Sequence, residues 1–145
     1  MDSTIRALID LARPLLGEIA LGRADMSAAT VACAIRSASG RTYTGVCVHL
    51  SCGIGFCAEH AAVAEMIKGR ETQIEAIVAV CDDGVLAPCG RCRELMAQVD
   101  PRNFDARVGL PGGRAVALRE LLPHHWMGAD SGQPVAAADP PRRPN

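Results

Sequence analysis

Two short cysteine-bearing stretches carry the chemistry of this sequence. Cys57-Ala58-Glu59-His60 follows a glycine-containing run, and Pro88-Cys89-Gly90-Arg91-Cys92 follows an apolar one. Each falls where a loop is expected to meet a helix. Each therefore offers a thiol at a helix N-terminus, where free N–H groups and the helix dipole favour thiolate. Three thiolates converging on one ion make an open zinc site, with a fourth position left for water. Zinc lowers the pKa of that water to about 7. Glu59 stands two residues from Cys57, within the same helical turn, and can move protons without being a ligand.

The elements that must position these groups can be read from periodicity. The stretch from Ser3 to about Ala20 reads as a helix, with an apolar stripe of Ile5, Leu8, Ile9, Ala12, Leu15 and Leu16. Ser3 is its expected N-cap, and Pro14 predicts a break. Thr30–Ile35 and Tyr43–Leu50 flank a Ser/Gly turn and read as a hairpin. Ser51–Phe56 reads as loop, and Cys57–Lys68 as a helix ended by Gly69. Ile74–Cys81 is almost unbroken apolar sequence, the pattern of a strand buried on both faces. Cys89–Val99 reads as a third helix. Ala106–Leu110 and Arg114–Ala117 form a second hairpin around Pro111-Gly112-Gly113, and Leu118–Leu122 a last short helix. The order predicts an α/β fold of three layers, α-β-α, around one mixed sheet.

Composition narrows the partners. The chain has 145 residues, 49% hydrophobic and 21% charged, the size and balance of one globular domain. Fifteen Lys+Arg against sixteen Asp+Glu give a net charge of −1. That leaves no basic excess for a phosphate backbone, and 3% aromatics offer few stacking platforms, so no nucleic-acid partner is expected. No apolar run approaches the ~20 residues of a membrane span. Met1–Arg6 does not read as a secretory signal. Seven cysteines, an odd count, argue against a secreted disulfide framework and for a cytoplasmic location.

Either cysteine motif alone has other readings. A lone Cys-x-x-Cys serves redox chemistry or structural zinc, and a Glu beside a Cys is ordinarily a solvated helix residue. Cys-Ala-Glu followed at this distance by Pro-Cys-x-x-Cys, with a buried-type strand between, matches the signature of the zinc nucleobase deaminases. From about Val31 to Trp126 the sequence resembles the small zinc-dependent cytidine deaminase family, which includes blasticidin-S deaminase. The resemblance is carried by Val31-Ala32-Cys33-Ala34-Ile35, by Gly40-Arg41-Thr42-Tyr43-Thr44-Gly45, by Leu86–Arg93 and by Arg119-Glu120-Leu121-Leu122-Pro123.

The resemblance implies a three-layer fold with an about five-stranded sheet and one deaminase domain over 1–127, while the Asp-, Ala-, Pro- and Arg-rich stretch 128–145, without periodicity, reads as a flexible tail. It implies one zinc per subunit on Cys57, Cys89 and Cys92, with Glu59 as proton carrier and the backbone of Ala58 against the base. It implies a homotetramer and hydrolytic deamination of a small-molecule amino-heterocycle. Cytidine or deoxycytidine is the default substrate, and a blasticidin-like nucleoside or a modified base the rival. The family's Asn-x-Glu, which holds the ribose, falls on Cys47 and His49, and its pocket aromatic falls on Ala29. Where the family often has Arg after the catalytic Glu, this chain has His60. Compensation of the thiolate charge then passes to Arg91, with Arg93.

Other readings stay open beside these. Cys52 could complete a closed four-cysteine structural site. Cys33 and Cys81 read as core. His49 is either a satisfied strand histidine or a substrate contact, and His60 either a neighbour of the zinc site or a plain helix residue. Trp126 is a core or interface residue, or reaches substrate. Outside the deaminase reading stand a non-catalytic zinc-stabilised binding module and a thiol redox protein using Cys89 and Cys92.

Overall fold

The computed structural model describes residues 2–127, so the expected tail lies outside the described residues. Helix α1 (Ser3–Ala12) buries Ile5, Leu8, Ile9 and Ala12, the expected stripe. Its N-cap is Asp2 rather than Ser3: the Asp2 carboxylate accepts from the N–H groups of Thr4 and Ile5 at 2.8 and 3.3 Å. A carboxylate satisfies two orphan donors at once and also meets the positive end of the helix. Pro14 lies in a 3-10 turn, Arg13–Leu15, that ends the helix. The chain beyond it is not helix but a two-residue strand, β1 (Ile19–Ala20).

Strands β2 (Ser27–Ser37) and β3 (Thr42–His49) form the first hairpin, and helix α2 (Ala58–Lys68) follows. Strand β4 (Ile74–Cys81) turns into a short β5 (Gly84–Leu86), a strand the sequence did not announce. Helix α3 (Gly90–Val99), the hairpin β6 (Arg107–Leu110) and β7 (Arg114–Ala117), and helix α4 (Leu118–Leu121) complete the fold. The main sheet runs β3-β2-β4-β6-β7, with β1 added beside β2 and β5 beside β4. The β4–β6 pair is parallel and the others antiparallel, so the sheet is mixed as expected.

Period-two alternation splits the core into two layers. Ala32, Ala34, Ala76, Val78 and Val80 face α1. Cys33, Ile35 and Ile77 face α2 and α3, against Ala58, Ala62, Val63, Met66 and Met96. Cys33 is core, whereas Cys81 at the end of β4 is only half-buried. One buried amide ties the sheet to the third helix. Asn103 accepts from the N–H of Ile74 at 2.7 Å and donates to the carbonyls of Thr72 and Met96 at 3.0 and 2.9 Å. It joins the start of β4 to the third helix and leaves no buried polar atom of that amide unpaired.

Candidate active site

Both cysteine motifs begin helices. Cys57 is the N-cap of α2 and Cys89 the N-cap of α3. The loop before Cys57 is held by Val48 and Phe56, which exchange two backbone hydrogen bonds of 3.0 Å. Gly55 permits that approach, because a Cβ there would stand 2.4 Å from the Val48 carbonyl oxygen. The loop before Cys89 is held by Arg93, whose guanidinium donates to the carbonyls of Pro88 and Leu121 at 2.8 and 2.9 Å. Arg93 therefore fixes the loop.

The three sulfurs converge. Cys57 and Cys89 Sγ are 3.6 Å apart, and Cys89 and Cys92 Sγ 3.4 Å. All three lie within 4.8 Å of one another. With Zn–S bonds of 2.3 Å, tetrahedral sulfurs stand ~3.8 Å apart, so the donor set fits a zinc ion with little movement. Cys52 is exposed and outside this group, which leaves a three-thiol set rather than a closed four-cysteine one.

The electrostatics also fit a cation. Burial and the Glu59 carboxylate push the Cys92 thiol well above its ordinary range. Burial and the neighbouring Cys89 raise Cys57. Burial opposes the Cys89 thiolate, but hydrogen bonds from the backbone at Cys92 and Arg91 and from the other thiols outweigh it and lower its pKa. Two thiols that resist ionising beside one that ionises more readily are what a cation would draw into three thiolates. His60 Nδ1 lies 3.5 Å from Cys92 Sγ, and burial and Arg91 lower its pKa, so a neutral imidazole stands beside the sulfur.

A cavity of about 390 Å³ opens onto the sulfurs. Cys57, Ala58, Glu59, Cys89 and Arg91 line it from the helix ends, and Cys47 and His49 from β3. Glu59 is 5% exposed and Ala58 fully buried at this floor. Val31, Val48, Leu50, Phe56, Leu86 and Ala87 supply apolar walls that sequence reasoning did not single out. Trp126 stands elsewhere: it is 75% exposed and its Nε1 donates to Glu94 at 2.5 Å.

Helix α2 can carry Glu59 to this place because Gly45 in β3 has no side chain. A Cβ there would lie 2.4 Å from Ala62 N and 2.7 Å from Ala58 O, both backbone atoms. Gly45→Ala is expected to cost about 1–3 kcal/mol in denaturant unfolding. Gly90→Ala, where a Cβ meets nothing within 4 Å, should show no such loss.

No family model matches the sequence. Solved structures do resemble the fold. Cytidine deaminase from Mycobacterium tuberculosis superposes with a TM-score of 0.71 at 27% identity, over 86% of this chain and 98% of that one. Cytidine deaminase from Mycobacterium leprae gives 0.70 at 25% identity, over 84% and 99%. The enzyme from Burkholderia pseudomallei gives 0.67 at 25% identity, over 86% and 98%. Likeness along nearly the whole of those chains, joined to the thiol cluster with its adjacent carboxylate, makes this chain similar in fold and in site to the cytidine deaminases.

Proposed function

We propose that the protein hydrolytically deaminates cytidine or 2′-deoxycytidine, giving the uridine product and ammonia, with zinc held by Cys57, Cys89 and Cys92. The observation that carries this reading is the placement of one buried carboxylate, Glu59, in the same cavity as three convergent thiols. Zinc, when bound, supplies Lewis acidity and makes hydroxide available near neutral pH. Glu59 accepts the proton of the attacking water. It passes that proton to the ring nitrogen as the C–O bond forms, then accepts the second proton of the same oxygen and delivers it to the amino nitrogen as the C–N bond breaks and ammonia leaves. The Ala58 backbone at the cavity floor meets the polar edge of the base. Val31, Val48 and Phe56 hold the ring and exclude water. His60 offers an N–H to the Cys92 sulfur, and the Arg91 guanidinium on the cavity wall offsets the negative charge of three thiolates.

We further propose that the protein is a homotetramer. Leu50, Ile54, Phe56 and Leu86 are exposed large apolar residues on and beside the cavity wall, a surface that association would cover. Trp126 is exposed and available to a neighbouring subunit. No helix among the described residues is long and apolar enough to cross a membrane. All seven cysteines are free thiols, which fits a reducing cytoplasm.

The test is ammonia release from cytidine by zinc-loaded protein, followed with the loss of the cytosine chromophore. Equimolar ammonia and uridine are expected. A zinc-loaded, folded protein that releases no ammonia from cytidine or deoxycytidine would overturn the reading.

A further inference from the structure

One wall of the cavity is closed upon itself. The Cys47 sulfur accepts from the backbone N–H of Val31 at 3.2 Å. It stands 3.3 Å from the Thr30 hydroxyl and 3.3 Å from His49 Nε2. That same His49 nitrogen lies 3.1 Å from Thr30 Oγ1. Three polar side chains and one N–H thus hydrogen-bond to one another.

The backbone builds the arrangement. Ala28 pairs with Val48 and Ala32 with Val46, so β2 spends four steps where β3 spends two. Ala29 in this bulge has a φ of 64°, in the left-handed region. The extra residues bring Thr30 over Cys47 and His49, two positions that alternate onto one face of β3.

A wall of this kind reads a substrate differently from one that carries a free acceptor. A sugar hydroxyl is gripped by a carboxylate or carboxamide with open lone pairs. Among the residues lining this cavity the only carboxylate is Glu59, at the floor with the thiols. A thiol is a poor acceptor, and the Nε2 of His49 is already within hydrogen-bond reach of Thr30 and Cys47. The remaining walls are chiefly aliphatic or aromatic.

Resting on the deaminase reading, we infer that the site selects its substrate by the amino-pyrimidine ring alone. The Thr30–Cys47–His49 wall leaves it indifferent to hydroxyls on the ring substituent. The substrate class is then N1-substituted cytosines at large, including those whose substituent is a deoxygenated sugar or a short alkyl group.

The experiment compares kcat/KM of the zinc-loaded wild-type protein for cytidine, 2′-deoxycytidine, 2′,3′-dideoxycytidine and 1-methylcytosine. A site built to bind a hydroxyl rejects the analogue lacking it by about 10⁴-fold, whereas an apolar pocket discriminates far less. The cytidine to dideoxycytidine ratio is expected to stay below about 30. A higher ratio overturns the inference while leaving the deaminase reading intact. Absence of turnover on all four overturns that reading and the inference with it. Cys47→Asn combined with His49→Glu installs free acceptors and should raise the ratio at least tenfold. The ratio is taken within one protein, so loss of folded enzyme cancels from it. An unchanged ratio in the folded double variant overturns the role of this wall.

Discussion

Replacing Glu59 by Gln is expected to lower kcat/KM for cytidine by about 10²- to 10⁴-fold while leaving zinc content unchanged. The upper end is favoured because every proton in the reaction passes through this one group. Gln keeps the size and shape of Glu but can neither accept the proton of water nor deliver one to the ring. Glu59 is 5% exposed in the first turn of α2, so no solvent-borne buffer easily replaces it. It is flanked by Cys57, which fixes the helix start, and it stands opposite the cavity wall formed by β3. The measurement is steady-state turnover alongside elemental analysis of the same preparation. A variant that retains its zinc and loses less than tenfold would sink Glu59 as the proton carrier. A redox role for Cys89 and Cys92 would make a disulfide-reducing activity insensitive to this substitution, so the same variant separates the two chemistries.

Removing the metal is expected to abolish turnover and to lower thermal stability at once. Cys57 opens α2, and Cys89 and Cys92 open α3, so a cation on all three ties two helix N-termini together. Burial disfavours the thiolates of Cys57 and Cys92 on their own, so a cation is what stabilises all three sulfurs in their ionised form. A ligand present at 1,000 times its Kd stabilises the native state by about 4 kcal/mol. For a chain of this size that is ~10 °C or more in Tm. The check is a pair of melts, with zinc and with a chelator, on the wild type and on Cys89→Ala. The wild type should shift, and Cys89→Ala should melt nearly alike in both. Superimposable wild-type melts would rule out zinc as a structural tie between the helices. A shift without any activity to lose would favour a zinc-stabilised binding module instead.

The two predictions differ in how far the sequence alone reaches them. Ligand and acid–base positions follow from short-range geometry. A helix start places residue types at fixed offsets, so Cys57 and Glu59, or Cys89 and Cys92, hold their mutual relation wherever the helix is docked. The sheet was legible for a similar reason. The apolar run of β4 and the alternation in β2 each state which faces are buried, and the layers follow. The cap of α1 moved by one residue, from Ser3 to Asp2, because two acceptable caps were adjacent and only the backbone decides between them. The strands β1 and β5 are too short to carry a periodic signal.

The amino-acid sequence by itself pointed to the cluster of Cys57, Cys89 and Cys92 beside Glu59 and to the three-layer fold, since each depends on residue type at local spacing. The tertiary structure decided how the cavity wall is wired. Thr30, Cys47 and His49 meet because a bulge at Ala29 shifts one strand against its neighbour. That contact spans nineteen positions between Thr30 and His49 and leaves no periodic trace in either strand. Gly45 acquires its meaning in the same way, from the helix backbone that lies against it. Pairings between strands and helices depend on how the chain is docked in three dimensions, and local spacing carries no information about that.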